Sequence, residues 1–196
     1  MIAPLLYNSA METESVTERI SPFHASDTEA ILRARGWLTG SNTPELEDWM
    51  RDAADWLGTQ AASHSEDADE RCDRFSALLS LVFSYHAAKL LETRENQAAM
   101  AREGARETVR ELANRVLQGG EIDSARLKEI VDGLKQQFGS QGRRIFHPLR
   151  LALAGRTGEG ELDRVILLVD RAAKLPFAVP VKGTRERMLE FCAAVR

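Results

Sequence analysis

Gly142-Arg143-Arg144-Ile145-Phe146-His147-Pro148-Leu149-Arg150-Leu151-Ala152-Leu153-Ala154-Gly155-Arg156-Thr157 is the stretch that decides how this chain is read. It holds four arginines and a histidine and no carboxylate. Its leucines and alanines form a short helix that opens at Pro148, read as a first-position proline, and stops at Gly155. A helix starting there presents unpaired amides beside His147, which suits an anion. Guanidinium groups bind phosphate bidentately and stack on bases. Arg150, set between leucines, leaves the helix on one face. Two roles are open to it: contact with an anion, or an internal ion pair that ties neighbouring helices together.

Reading outward from this segment, every periodic stretch is helical. Ser26 or Asp27 can cap a helix from Thr28 to Leu38. Thr43 and Pro44 open the next, whose Leu46, Trp49, Met50, Ala53 and Leu57 share a face and which Gly58 is expected to stop. Proline is absent between Pro44 and Pro148, which permits long helices. One is expected from about Ala68 to Leu91, with Phe75, Leu78, Leu79, Val82 and Phe83 inward. Another runs from about Glu95 to Leu117, with Val109, Leu112, Ala113, Val116 and Leu117 inward, and Gly119-Gly120 ends it. Asp123 or Ser124 caps a third, striped by Leu127, Ile130, Val131, Leu134 and Phe138 and ended by Gly139. The apolar run Asp163 to Lys174 is a buried helix. Pro176 and Pro180 enforce an extended connection. Thr184 starts a last helix through Met188, Leu189, Phe191 and Val195. The period-2 alternation of strands is absent. The expected fold is all-α, an irregular helical bundle. It divides into a flexible N-terminal arm (1–25), a helical subdomain (26–118) and a second helical subdomain (119–196).

Composition narrows the function classes. The chain has 196 residues, 29% charged and 43% hydrophobic, which fits a soluble globular protein with a substantial core. No apolar run reaches the roughly 18 residues of a membrane span, and the opening residues lack a basic signal-peptide region. Cys72 and Cys192 suggest neither a disulfide framework nor a zinc site, so a reducing, cytoplasmic setting is expected. Net charge is −4, but it is unevenly spread: residues 1–70 hold 14 acids against 4 bases, and the remainder is positive. Such asymmetry either marks a nucleic-acid-facing half or simply reflects well-solvated acidic helices.

Catalytic signatures are missing. There is no Walker loop, no GxGxxG after a strand, no HExxH and no nucleophile elbow. His24, His64, His86 and His147 lack metal-ligand spacing. His86, close to Phe83 and Tyr85, reads as a core or boundary histidine, and the cysteines as small hydrophobes. Trp37, Trp49 and Trp56 either stack bases or pack the core. Trp49 and Trp56 are seven residues apart and share a face, which favours the core. The acidic cluster Glu66-Asp67-Asp69-Glu70 reads as the start of a helix, whose dipole favours negative charge there. No catalytic residue, metal or cofactor is expected.

The Gly142–Thr157 segment resembles the C-terminal anticodon-binding region of bacterial glutamyl-tRNA synthetases, a class I family. Their pattern is a glycine-basic lead, a hydrophobic-x-Pro-Leu-Arg-x-Ala-Leu-x-Gly helix, then a loop and a helix opening with Leu. Here the loop continues Gly158-Glu159-Gly160-Glu161-Leu162, and Asp123–Gly139 matches the lead-in helix in length and position. The likeness is strongest over about residues 105–172. It implies an all-helical cage that recognises the anticodon stem-loop, with the second subdomain as its anticodon-binding part. It also implies that Arg150 and Leu162 face anticodon bases, with Glu159 and Gly160 at loop positions. The family's HIGH-type and KMSKS-type catalytic motifs are not in this sequence, so the chain is not expected to charge tRNA by itself.

The expectation is therefore a non-catalytic tRNA-binding module whose contacts are Arg143, Arg144, Arg150, Arg156 and Leu162. Its partner is the tRNA anticodon stem-loop, with no membrane involved. Two other functions fit the same residues. One is a helical protein-interaction module that kept the fold and lost tRNA recognition, suggested by the acidic first third. The other is a trans-acting subunit for a separate synthetase catalytic domain.

Overall fold

Short polar caps set four of the helix starts. In the computed structural model, which describes residues 21–63, 65–139, 142–158 and 161–195, the Thr43, Asp67, Thr93 and Asp123 side chains each accept an amide hydrogen bond from the first turn of the helix they precede. The described residues contain ten helices and no strand. They are α1 (Ala25–Ala34), α2 (Pro44–Ala62), α3 (Ala68–Phe83), α4 (Ala87–Leu90), α5 (Arg94–Met100), α6 (Ala105–Gln118), α7 (Ser124–Phe138), α8 (Arg143–Ala154), α9 (Glu161–Ala172) and α10 (Thr184–Ala194). The fold is all-α, an irregular bundle. Most of the N-terminal arm, and the loop positions Glu159 and Gly160, lie outside the described residues.

Several boundaries differ from the sequence reading, each for a local reason. α1 starts at Ala25 after His24, and Asp27 works from inside the helix: its carboxylate accepts the His24 N–H at 2.8 Å. α2 runs through Gly58 instead of stopping there. The glycine makes room for the chain before α1, since a Cβ would lie 2.3 Å from Ser21 Oγ and 2.9 Å from a Phe23 ring carbon. Ser21 donates to the Ala54 carbonyl at 2.8 Å, and Phe23 stacks on Phe75 at 4.5 Å.

The helix expected over Ala68–Leu91 is broken at Ser84–His86, because the chain leaves it to carry Tyr85 into the core. The Tyr85 hydroxyl donates to the Ala152 carbonyl at 2.6 Å, and His86 is left at the surface, not within a helix. The helix expected over Glu95–Leu117 is likewise two, α5 and α6. Gly104 separates them at φ 80°, in the left-handed region that suits glycine. Pro148 is not a first-position proline. It lies inside α8, which begins five residues earlier, so the helix gives up only the bond Pro148 would have donated to the Arg144 carbonyl.

A single cluster of buried apolar side chains runs from Phe23 to Phe191. α2 packs between α1, α3 and α9, and α8 packs between α6, α9 and α10. Trp49 is fully buried and donates its indole N–H to the Leu168 carbonyl at 3.0 Å, tying α2 to α9. Around it Trp37 stacks on Phe83 at 4.5 Å, and Phe177 meets both Phe83 and Trp49 edge-on. Trp49 is a core residue, and Trp37 packs half-buried against the core. Trp56 is half-buried beneath the Arg164 guanidinium.

α10 inverts the expected polarity. Leu189 is half exposed, whereas Arg187 is fully buried. Its guanidinium donates to four carbonyls: Lys182 at 2.9 Å, Leu153 at 2.8 Å, Leu81 at 3.0 Å and Val82 at 2.6 Å. Leu81 and Val82 end α3, and Leu153 ends α8. A single cation thus caps two helix C-termini, where unpaired carbonyls and the helix dipole both favour positive charge. Burial pulls Arg187 down to about 10, still well above neutral pH. The same burial raises the Tyr85 phenol, whose ring lies 4.7 Å from the Arg187 guanidinium. Asp170 does the complementary work at the N-terminus of α10. It accepts from the Thr184 N–H at 2.6 Å, from the Thr184 hydroxyl, and from the Ile122 N–H at 2.9 Å.

Replacing Arg187 by Met leaves buried carbonyls without donors, so Arg187→Met should lower unfolding free energy by about 3–5 kcal/mol in urea titrations. Gly58→Ala, which in an ordinary helix interior gains up to about 1 kcal/mol, should here cost about 1–3 kcal/mol by overpacking against Ser21 and Phe23. The same denaturation midpoints report it.

Candidate nucleic-acid interface

α8 is anchored at one end and open at the other. Its C-terminal half, from Pro148 to Ala154, is buried throughout. Gly155 closes it at φ 85°, donating its N–H to the Arg150 and Leu151 carbonyls. Tyr85 packs directly over that glycine, where a Cβ would lie 3.3 Å from the ring. The N-terminal turn, led by Gly142 at φ 73°, reaches the surface and exposes Arg143 and Arg144. Arg156 is exposed just past the other end. The helix between them is roughly 18 Å long, so these arginines do not form one compact cluster.

Arg150 takes the second role left open by the sequence. Its Nε and Nη2 donate to the two carboxylate oxygens of Asp163 at 2.8 and 3.0 Å, a bidentate pair. Nη1 donates to the Gly158 carbonyl at 2.7 Å, and the guanidinium lies 4.6 Å from the Phe146 ring. The side chain is only 9% exposed. Arg150 therefore ties α8 to α9 and fastens the connecting loop. The buried Thr157 fastens the same loop to α5, donating to Glu95 at 2.8 Å. Leu162 is fully buried in the first turn of α9, so its side chain offers no surface to a base. Phe146 remains partly open beside Arg143, with the Lys135 ammonium from α7 at 5.9 Å from its ring.

The open end of α8 also gathers residues that the sequence reading passed over. Arg102, in the turn after α5, places Nη1 3.3 Å from Nδ1 of His147. The Arg144 guanidinium lies across Gly104, and Arg106 is exposed on the first turn of α6. Arg102 and Arg106 are about forty residues away from α8 in sequence. Only Gly104, a glycine between two helical stretches, hinted that the chain turns there.

The acidic cluster expected at a helix start is found at the head of α3, with Asp67 accepting from the Glu70 N–H at 2.9 Å. At the surface beside α4, Glu190 is held below the usual carboxylate range. Burial alone would raise it, but hydrogen bonds from Lys182 and the Ala87 N–H outweigh that effect. Among the described residues no His, Cys, Asp and Glu group has the form of a metal site, and no helix is long and apolar enough to cross a membrane.

A double-mutant cycle on Arg150→Ala and Asp163→Ala should give a stability coupling of about 1–2 kcal/mol, as expected for a partly buried bidentate pair. A coupling near zero would remove the anchoring role.

No curated protein and no solved structure matches this chain. A family profile described as an anticodon binding domain matches residues 15–173, which takes in every helix from α1 through α9 and the whole basic segment of α8. By that match, which covers most of its length, the chain belongs to the anticodon-binding domain family.

Proposed function

We propose that this chain is a non-catalytic tRNA-binding module that holds an anticodon stem-loop at the open end of α8. The observation that carries the reading is the pairing of family membership with the exposed Arg143 and Arg144 on the open end of α8. Arg143, Arg144 and Arg156 contact phosphates, where a guanidinium acts without regard to base sequence. Arg150 works through Asp163 and the Gly158 carbonyl, holding the loop beside α8 in one shape. Phe146, partly exposed between cationic groups, is the natural stacking surface for an unpaired base. The resemblance of Pro148-Leu149-Arg150 to glutamyl-tRNA synthetases makes glutamate tRNA the first species to try.

A second reading, a protein-interaction module, has one specific observation in its favour: the Arg150 guanidinium is already neutralised by Asp163. It calls for a stable protein partner in pull-downs and no copurifying tRNA. As a trans-acting subunit, the chain would instead restore charging when mixed with a separate synthetase catalytic domain.

Fluorescence anisotropy with glutamate tRNA tests the leading reading. Affinity should fall with salt at a log–log slope of about −2 to −3, the release expected from three or four phosphate contacts. Arg143→Gln and Arg156→Gln should each weaken binding severalfold and reduce that slope by roughly one. Absence of binding at low salt would overturn the reading.

A further inference from the structure

Arg102 and Arg144 come from distant parts of the chain: Arg102 meets His147 on α8, and Arg144 lies across Gly104, two residues after Arg102. An arginine has only donors, so in its 3.3 Å contact with Arg102 the Nδ1 of His147 is the acceptor. Arg144 and His147 are three residues apart on α8 and are neighbours on one face. Arg144 is fixed from below by Gly104, where a Cβ would lie 2.9 Å from its Nε and Nη2. The acid nearest its guanidinium is Glu103, 3.9 Å away and 96% exposed, a pairing too solvated to hold much energy. Arg102 and Arg106 also border an open depression of about 580 Å³, whose wall includes Glu103 and Glu107. Two guanidinium forks are thus brought to one region, and among the described residues the carboxylates beside them, Glu103 and Glu107, are solvent-exposed.

We propose that Arg102 and Arg144 form a clamp for one phosphate of the RNA backbone, with His147 holding Arg102 in place through Nδ1 and Arg106 at the rim. The proposal rests on the RNA-binding reading and extends it: the interface crosses from α8 onto the α5–α6 turn. A phosphate offers oxygens to both forks at once and replaces the weak Glu103 contact. The clamp therefore adds affinity and register without base preference.

Two measurements on the full chain test it. Titration with inorganic phosphate, followed by NMR, should shift the Nε–H signals of Arg102 and Arg144 and the His147 ring together. In tRNA anisotropy, Arg102→Gln and Arg144→Gln should each weaken binding about tenfold and reduce the salt slope by less than one, because both act on the same phosphate, equally for different tRNA species. Glu103→Gln removes the competing anion and should tighten binding about two- to threefold, a gain that damage to the fold does not produce. If tRNA binds but all three variants leave affinity and slope unchanged, the clamp is wrong and the RNA reading survives. If tRNA does not bind while phosphate still shifts the three residues, the clamp stands as an anion site and the RNA reading falls. If neither is seen, both fall.

Discussion

The buried guanidinium of Arg187 is the constraint on which the rest of the arrangement depends. It closes the C-terminal ends of α3 and α8 through the Leu81, Val82 and Leu153 carbonyls. Helix ends buried without donors would leave unpaired carbonyls in the core, each a cost of about 1–3 kcal/mol. Tyr85 adds the Ala152 carbonyl to the same group, and Asp170 fixes the start of the helix that carries Arg187. Positive and negative charges at opposite ends of helices suit the helix dipoles, so the buried polar groups reinforce the packing of the apolar core.

That anchoring has a functional consequence. With its C-terminal end held by Arg187, Tyr85 and Gly155, α8 can present only its N-terminal end to the outside. There the unpaired amides, Arg143 and Arg144 face away from the core, and the α5–α6 turn and α7 come close enough to add Arg102 and Lys135. Acidic residues gather in the first turns of α2 and α3.

The two basic groups near α8 illustrate how the same residue type takes different roles. Arg150 sits within reach of a carboxylate in a largely desolvated place, and the pair becomes part of the scaffold. Arg144, only a turn and a half earlier on the helix, meets the exposed Glu103 at 3.9 Å. Burial and the available counter-charge, not sequence spacing, separate the structural arginine from the ones free to meet a ligand.

The sequence by itself determined the all-α class, most helix faces, the cap at Thr43, the helix starts at the acidic cluster Glu66–Glu70 and at Asp123 or Ser124, and the basic segment that resembles anticodon-binding regions. These are legible because caps and apolar periodicity act within a few residues along the chain. Tertiary structure alone decided the rest. Gly58 continues its helix because Ser21 and Phe23 lie against it, and the chain breaks at Ser84–His86 because Tyr85 has a partner in α8. Arg187 turns inward where Leu189 turns outward, Arg150 finds Asp163, and Arg102 finds His147. Each outcome depends on a hydrogen bond or a contact between residues distant in sequence, and no local pattern encodes which distant group will be there.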